Sequence, residues 1–137
     1  MSEQKQEQQF GIQRIFVKDI SFESPQGAAV FGKPWRPAIQ QEISTATTTL
    51  NDDHYEVVLT LTLTGKLEEQ PAFVVEVQQA GIFLMKGFSE EQLRHLGAVN
   101  CPAVLFPYAR QVVDQMLLLG TLPPLILPPL NFEAMFQ

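Results

Sequence analysis

Hydrophobic and polar residues alternate with a period of two along several stretches of the first half of the chain. The clearest case is residues 55–64, where Tyr55 begins a series of alternate apolar positions and Glu56, Val58 and three threonines occupy the positions between them. Because successive side chains of a β-strand point to opposite faces, this alternation predicts strands that are buried on one side. The pattern predicts four strands, over residues 10–23, 39–50, 55–64 and 72–85.

The first predicted strand has one apolar face and one face that ends in acidic residues. The apolar face carries Phe10, Ile12, Phe16, Ile20 and Phe22. The opposite face carries Gln13, Ile15, Val17, Asp19, Ser21 and Glu23. In the fourth predicted strand, Val74 and Glu76 share a face in the same way, opposite the face of Phe73, Val75 and Val77.

Glycine, proline and short polar runs divide the strands. A loop over residues 24–38 contains three prolines and two glycines, and polar turns are predicted at residues 51–54 and 65–71. The loop also carries Val30, Phe31 and Trp35, and apolar residues on an irregular segment either fill a core or meet a partner. Gly81, inside the fourth strand, indicates a bulge or a close approach of another backbone.

After Gly87 the period changes to that of helices. Ser89 and Gln92 have the spacing of a capping box, which predicts a short helix that ends at Gly97. A second helix is expected to begin near Pro102 or Pro107 and to end at Gly120 in a left-handed conformation. Four prolines exclude a helix over residues 121–129, and Asn131 is expected to cap a last helix over residues 132–137.

Strands that precede helices predict an α+β fold with a four-stranded antiparallel meander and helices packed on one face. At 137 residues the chain has room for one domain, which we assign to residues 10–137, after a loose polar segment over residues 1–9. The last 37 residues contain eight leucines and only three charged residues, and Leu117, Leu118 and Leu119 run nearly round the second helix. One sheet face cannot cover such a helix, so we expect subunits to assemble; packing of all these leucines inside a monomer is the alternative.

Fifteen acidic and nine basic residues give a formal net charge of −6. This charge disfavours nucleic acid and anionic membranes as partners and favours a basic protein surface. The single cysteine, Cys101, and an opening segment without an apolar signal-peptide core indicate a cytoplasmic protein. The apolar stretch 116–130 is interrupted by a glycine and four prolines, so we do not expect it to insert into a membrane.

No enzyme motif is found in the sequence. His54 and His95 lack the spacing of a catalytic triad, and the glycines at 81 and 87 do not form a phosphate-binding loop. A metal held by His95 and Cys101 would need ligands that the sequence does not supply. We therefore predict no catalytic residue, no metal and no cofactor.

Six sequence strings, in the same order along the chain, resemble the SecB protein-export chaperone family. They are IQRIFVKDISFE (12–23), EVQQAGIF (76–83), LGAVNCP (96–102), LFPYAR (105–110), GTLP (120–123) and NFEAMF (131–136). The resemblance implies a homotetramer, arranged as a dimer of dimers with helices between the sheets. It also implies ATP-independent binding of unfolded precursor proteins and their delivery to the SecA motor of the Sec translocon.

The resemblance also implies which residues contact each partner. SecA is expected on the acidic outer sheet face, at Asp19, Glu23, Val74 and Glu76. Unfolded clients are expected in apolar grooves lined by Phe31, Trp35, Phe106, Leu122, Leu125, Leu127 and Phe132, with Phe106 and Phe132 equally compatible with the core. Members of the family usually continue into a polar tail that contributes to the SecA contact and to tetramer stability. Residues 1–137 do not include such a tail, so either the sequence is trimmed or this auxiliary contact is missing.

Two other functions remain open from the sequence. One is a SecB-like chaperone dedicated to a single partner, as in toxin–antitoxin control. The other is a carrier that holds a lipid or metabolite in an apolar groove. Capture of one stoichiometric partner would favour the first, and a uniformly bound small molecule in native mass spectrometry would favour the second.

Overall fold

The computed structural model of the protein describes residues 7–136. Four strands form one antiparallel sheet: β1 (Gln9–Glu23), β2 (Ala38–Asn51), β3 (His54–Leu67) and β4 (Gln70–Lys86). Three helices follow: α1 (Glu90–His95), α2 (Cys101–Leu119) and α3 (Phe132–Phe136). This order confirms the predicted α+β class; most of the segment predicted to be loose (1–6) and the last residue of the predicted final helix (137) lie outside the described residues.

The strand order is β1-β4-β3-β2, so the predicted meander is confirmed for β2, β3 and β4 and is wrong for β1, which pairs with β4. Two tight turns join β2 to β3 and β3 to β4, and their central residues have positive φ angles: Asp52 and Asp53 in one turn, Glu68 and Glu69 in the other. Such turns make sequential strands neighbours. The long connection after β1 instead lets β1 pair with β4, which produces a Greek-key order. A short 3₁₀ helix, Gly27–Gly32, lies within this connection.

The core lies between one face of the sheet and the helices. Alternate residues of β3 from Val57 to Leu63 are fully buried, as are Phe73, Val75 and Val77 of β4. Helix α2 packs over these two central strands. The alternation predicted for the third and fourth strands is therefore confirmed, and the buried side defines the inner face of the sheet.

Two bulges in β1 reverse the predicted faces of the residues between them, whereas Phe10, Ile12, Ile20 and Phe22 share one face as predicted. The pairing with β4 shifts between Ile12 and Arg14 and again between Val17 and Asp19. Each extra residue reverses the parity of the strand. Phe16, predicted on the apolar face, lies on the outer face, opposite Ala80 of β4.

The capping box at the start of α1 is confirmed. The Ser89 hydroxyl accepts a hydrogen bond from the backbone N–H of Gln92 at 3.2 Å, and the Ser89 N–H donates to the Gln92 side chain at 2.9 Å. Gly97 does not end the helix, contrary to prediction, because a π-helical segment (Leu96–Asn100) joins α1 to α2. A Cβ atom at Gly97 would lie 2.5 Å from Oγ1 of Thr47, so this glycine lets the helix approach β2 closely.

Helix α2 ends at Gly120, but the left-handed residue is Thr121, with φ of 55°. The N–H of Thr121 donates to the Leu118 carbonyl and the N–H of Leu122 to the Leu117 carbonyl, which is the Schellman arrangement. Gly120 has an ordinary φ of −81°, so the predicted left-handed glycine is wrong. Its small size is needed because a Cβ atom there would lie 2.8 Å from the Phe22 ring.

Residues 122–130 have no regular secondary structure, as the prolines predict. This segment is tied back to α2 because the Arg110 guanidinium donates a hydrogen bond to the Leu127 carbonyl at 3.3 Å. The same guanidinium lies 5.7 Å from the centre of the Phe106 ring. At Gly81 the close neighbours are side chains rather than the predicted backbone, since a Cβ atom there would lie 2.7 Å from the Phe83 ring and 3.1 Å from the Leu105 side chain of α2.

Candidate binding surfaces

The outer face of the sheet brings together the four residues predicted as an acidic patch. In the pairing of β1 with β4, Asp19 lies opposite Gln78, Ser21 opposite Glu76, and Glu23 opposite Val74. Asp19, Glu23, Val74 and Glu76 therefore occupy three successive rows of one sheet face. Side chains two residues apart on one strand are about 7 Å apart, and neighbouring strands about 4.8 Å, so the patch is compact. We call these four residues the acidic patch.

The carboxylates of the acidic patch are accessible, and the neighbouring lysine does not neutralise them. Asp19 and Glu23 are exposed and Glu76 is half-buried. Lys18, the residue before Asp19, is held by Glu56 of β3, with Nζ 3.0 Å from Oε1. The only hydrogen bond found for a patch carboxylate in residues 7–136 comes from the Thr62 hydroxyl, which donates to Glu76 Oε1 at 3.0 Å. The patch is therefore a negative surface suited to a basic partner.

Three of the seven predicted groove residues are accessible or partly so. Phe31 follows the buried Val30 on the 3₁₀ helix and is 62% exposed. Trp35 is half-buried, with its ring centre 6.2 Å from that of Phe73. Leu125 is half-buried on the segment after α2.

The other four predicted groove residues are buried in the single chain. They are Phe106, Leu122, Leu127 and Phe132. Phe106 and Phe132 contact each other, with ring centres 6.2 Å apart. In this arrangement they form part of the core, so the exposed groove in one chain cannot be lined by them. The client-binding role of the full set stays a prediction.

Several exposed apolar residues were not among the predicted groove residues. Leu118 and Leu119 at the end of α2 are 73% and 76% exposed, and Ile126 is 96% exposed. The run of leucines had predicted that Leu118 and Leu119 lie on a side of the helix that another subunit must bury. Nothing in the pattern distinguished Ile126 from its buried neighbour Leu127, because the irregular segment has no period from which a face could be assigned.

The inner face of β1 is also incompletely covered. Phe10, Ile12, Val17 and Ile20 lie on the same side as the buried residues of β4, and Val17 does so because the first bulge reverses the parity of the strand. All four are exposed, at 39–50%. Helix α2 packs mainly on β4 and β3, so it leaves this edge of the inner face open.

The candidate catalytic and metal-binding residues do not converge. The imidazole of His95 contacts Glu133, with Nε2 2.8 Å from Oε1, and packs edge-on against Phe136. Cys101 is buried, and its thiol lies 4.0 Å from the Met85 sulfur. Within residues 7–136 no group of three or more His, Cys, Asp or Glu could hold a metal ion. In the same range, no helix is both long enough and apolar enough to cross a membrane.

Burial raises the pKa of the Cys101 thiol to about 12 from the ordinary value of 9.0. The folded state therefore keeps the proton at a pH where the unfolded chain loses it. We expect the free energy of unfolding to fall as the pH rises above about 9, at up to about 1.4 kcal/mol per pH unit from this residue alone. Urea denaturation between pH 8 and pH 10 measures this loss, and the variant Cys101→Ala should lack that share of it. An identical pH dependence in both proteins would contradict the prediction.

Comparison with known proteins agrees with the fold and with the six sequence strings. A model of the family described as SecB, preprotein translocase subunit SecB, matches residues 3–137. A protein of Hahella chejuensis named protein-export protein SecB is 46% identical over 127 residues, which cover 93% of this chain and 80% of that protein. A protein of the same name from Pseudomonas syringae is 46% identical over 128 residues, covering 93% of this chain and 78% of the relative.

A solved structure has a similar fold. It is a SecB-like chaperone of Mycobacterium tuberculosis in complex with a peptide from an antitoxin, and it superposes with a TM-score of 0.71. The two chains are 18% identical, and the match covers 89% of this chain and 88% of the other. At that identity, the likeness establishes the shared fold alone.

Proposed function

Since the chain belongs to the SecB family and is a chaperone of Sec-dependent protein export, we propose that it holds unfolded precursor proteins on its apolar surface without ATP and delivers them to SecA. The observation that carries this proposal is the 46% identity, over 93% of the chain, to two proteins named protein-export protein SecB. The family is a chaperone family and not an enzyme family. We propose that the protein acts in the cytoplasm, where precursor proteins are held before export.

The exposed apolar residues support the client-binding part of the proposal. Phe31, Leu118, Leu119 and Ile126 are each more than 60% exposed. Burial of apolar area contributes roughly 25 cal/mol per Å² and has no directional requirement, so one surface can accept many sequences. A long client that contacts several such surfaces gains effective concentration at each further contact.

The proposed assembly is a homotetramer, a dimer of dimers. The open inner face of β1 and the leucines at the end of α2 support it, because one chain leaves both uncovered. Interfaces between permanent subunits resemble a hydrophobic core divided between chains. In light scattering after gel filtration, we expect a mass near four times 15.4 kDa. A stable monomer at micromolar concentration would contradict this assembly.

Refolding of a precursor tests the chaperone function directly. A precursor diluted from denaturant refolds at a measurable rate, and a stoichiometric amount of this protein should slow that refolding in buffer without nucleotide. The same precursor added after it has folded serves as the control and should not bind. Unchanged refolding with the chaperone in tenfold excess would contradict the proposal.

A dedicated chaperone for a single partner is the second candidate. The antitoxin peptide belongs to the structure that shares only 18% identity, whereas the relatives at 46% identity carry the export name. These identities favour export. Affinity purification from cells separates the two functions, because a general export chaperone captures many precursors and a dedicated one captures a single stoichiometric protein.

A further inference from the structure

The acidic patch contains one carboxylate whose position is set by a neighbouring strand. Glu76 lies in the middle row of the patch, between the rows of Asp19 and Glu23. On its other side it is paired with Thr62 of β3, whose hydroxyl donates a hydrogen bond of 3.0 Å to Glu76 Oε1. Within residues 7–136, no hydrogen bond to the carboxylate of Asp19 or Glu23 is found.

The geometry explains why a free Glu76 side chain would not stay in this position. Two further carboxylates, those of Asp19 and Glu23, lie on the adjacent strand and repel it. A glutamate side chain also has several rotatable bonds, and its ordering on binding reduces affinity. A hydroxyl has a single proton, so the Thr62 bond selects one orientation, in which Oε1 is engaged and Oε2 is left for a partner.

We infer that Thr62 is a positioning residue for the SecA-docking surface and acts by holding the Glu76 carboxylate ready for a basic group of the motor. This inference rests on the proposed docking of SecA at the acidic patch. Thr62 adds no charge and carries no role implied by the family resemblance. Its contribution comes from preorganisation, because the motor then binds a carboxylate that has already lost its freedom.

Four single variants test the inference by calorimetry with purified SecA. Thr62→Val keeps the β-branched shape and removes the hydroxyl, so we expect about 3- to 10-fold weaker binding, the usual effect of losing one hydrogen bond. Thr62→Ser restores the donor and should bind within about twofold of the original protein. Thr60→Val is the matched control, since Thr60 lies on the same strand face but opposite the neutral Gln78. Glu76→Ala supplies the reference for a lost carboxylate.

Two further readouts separate positioning from a direct contact. Thr62→Val removes no charge, so the slope of log Kd against log salt should stay unchanged, whereas Glu76→Ala should reduce it. In the Glu76→Ala background, Thr62→Val should cause no additional loss. An equal additional loss there would overturn the inference, as would full affinity of Thr62→Val alone. If the original protein does not bind SecA, the proposed docking fails instead.

Discussion

The double variant Asp19→Lys, Glu76→Lys is expected to bind SecA at least about 100-fold more weakly and to keep its affinity for unfolded precursors. Both side chains lie on the outer face of the sheet, on adjacent strands, and neither contributes to the core. Placing two positive charges against a basic partner costs several kcal/mol, which corresponds to a loss of about 100-fold or more. The apolar surfaces proposed for clients are formed by other residues, so client binding should persist.

The matched control for this variant changes the same number of charges elsewhere. Glu90→Lys with Glu91→Lys gives the same formal net charge but lies at the start of α1, on the helical side of the sheet. We expect this control to bind SecA within about threefold of the original protein. Salt at physiological concentration screens the interaction between exposed charges beyond about 8 Å, so charges at the start of α1 should have little effect on a partner bound at the acidic patch. Calorimetry with SecA and a refolding assay with a precursor measure the two activities. Loss of both activities together in Asp19→Lys, Glu76→Lys would contradict separate surfaces.

Replacing Phe73 by alanine should lower the free energy of unfolding by about 3–5 kcal/mol, the usual cost of removing a buried phenylalanine ring. Phe73 is completely buried on the inner face of β4, its ring covers Gly65 of β3, and Trp35 stacks on it at 6.2 Å. The backbone around the ring is part of a central strand pair and cannot collapse to fill the space. The Trp35 side chain would also lose the ring against which it packs.

Denaturation by guanidinium chloride, followed by fluorescence of the single tryptophan, measures this change at a fixed protein concentration. Phe31→Ala is the control, because its ring is 62% exposed and its removal should change the stability by less than about 0.5 kcal/mol. Phe31→Ala should instead weaken client binding. A loss below about 1 kcal/mol in Phe73→Ala would show that the ring does not support the core as described.

Local signals in the sequence predicted most secondary-structure elements correctly. The alternation from Val57 to Leu63 and from Phe73 to Val77 identified both central strands and their buried faces. The capping box at Ser89 depends on atoms within three residues of each other, so the sequence alone was sufficient to predict it. Gly97 and Gly120 were predicted to end helices through their backbone conformation. The structure instead requires glycine at these positions because a larger residue would clash with Thr47 and Phe22, which are distant in the chain.

The acidic patch was also predictable only in part from the sequence. Alternation placed Asp19 with Glu23, and Val74 with Glu76, each pair on one face of its own strand. That the two pairs share a single surface follows from the pairing of β1 with β4, and the bulge at Lys18 sets the register between them. The Thr62 hydroxyl, on a third strand, had no signal in the sequence because a threonine that holds a carboxylate looks like any other threonine of an outer strand face.

By itself the sequence determined the α+β class, the number of strands, the acidic charge and an excess of apolar residues near the end of the chain. These properties depend on local backbone preference and on composition, which are readable one segment at a time. Only the tertiary structure decided the strand order, the side of β1 that carries Phe16, and which apolar residues are buried. Each of these three features depends on the free energy of pairing or packing between segments that are far apart in the chain. A short stretch of sequence contains only one of the two segments, so it cannot predict the contact between them.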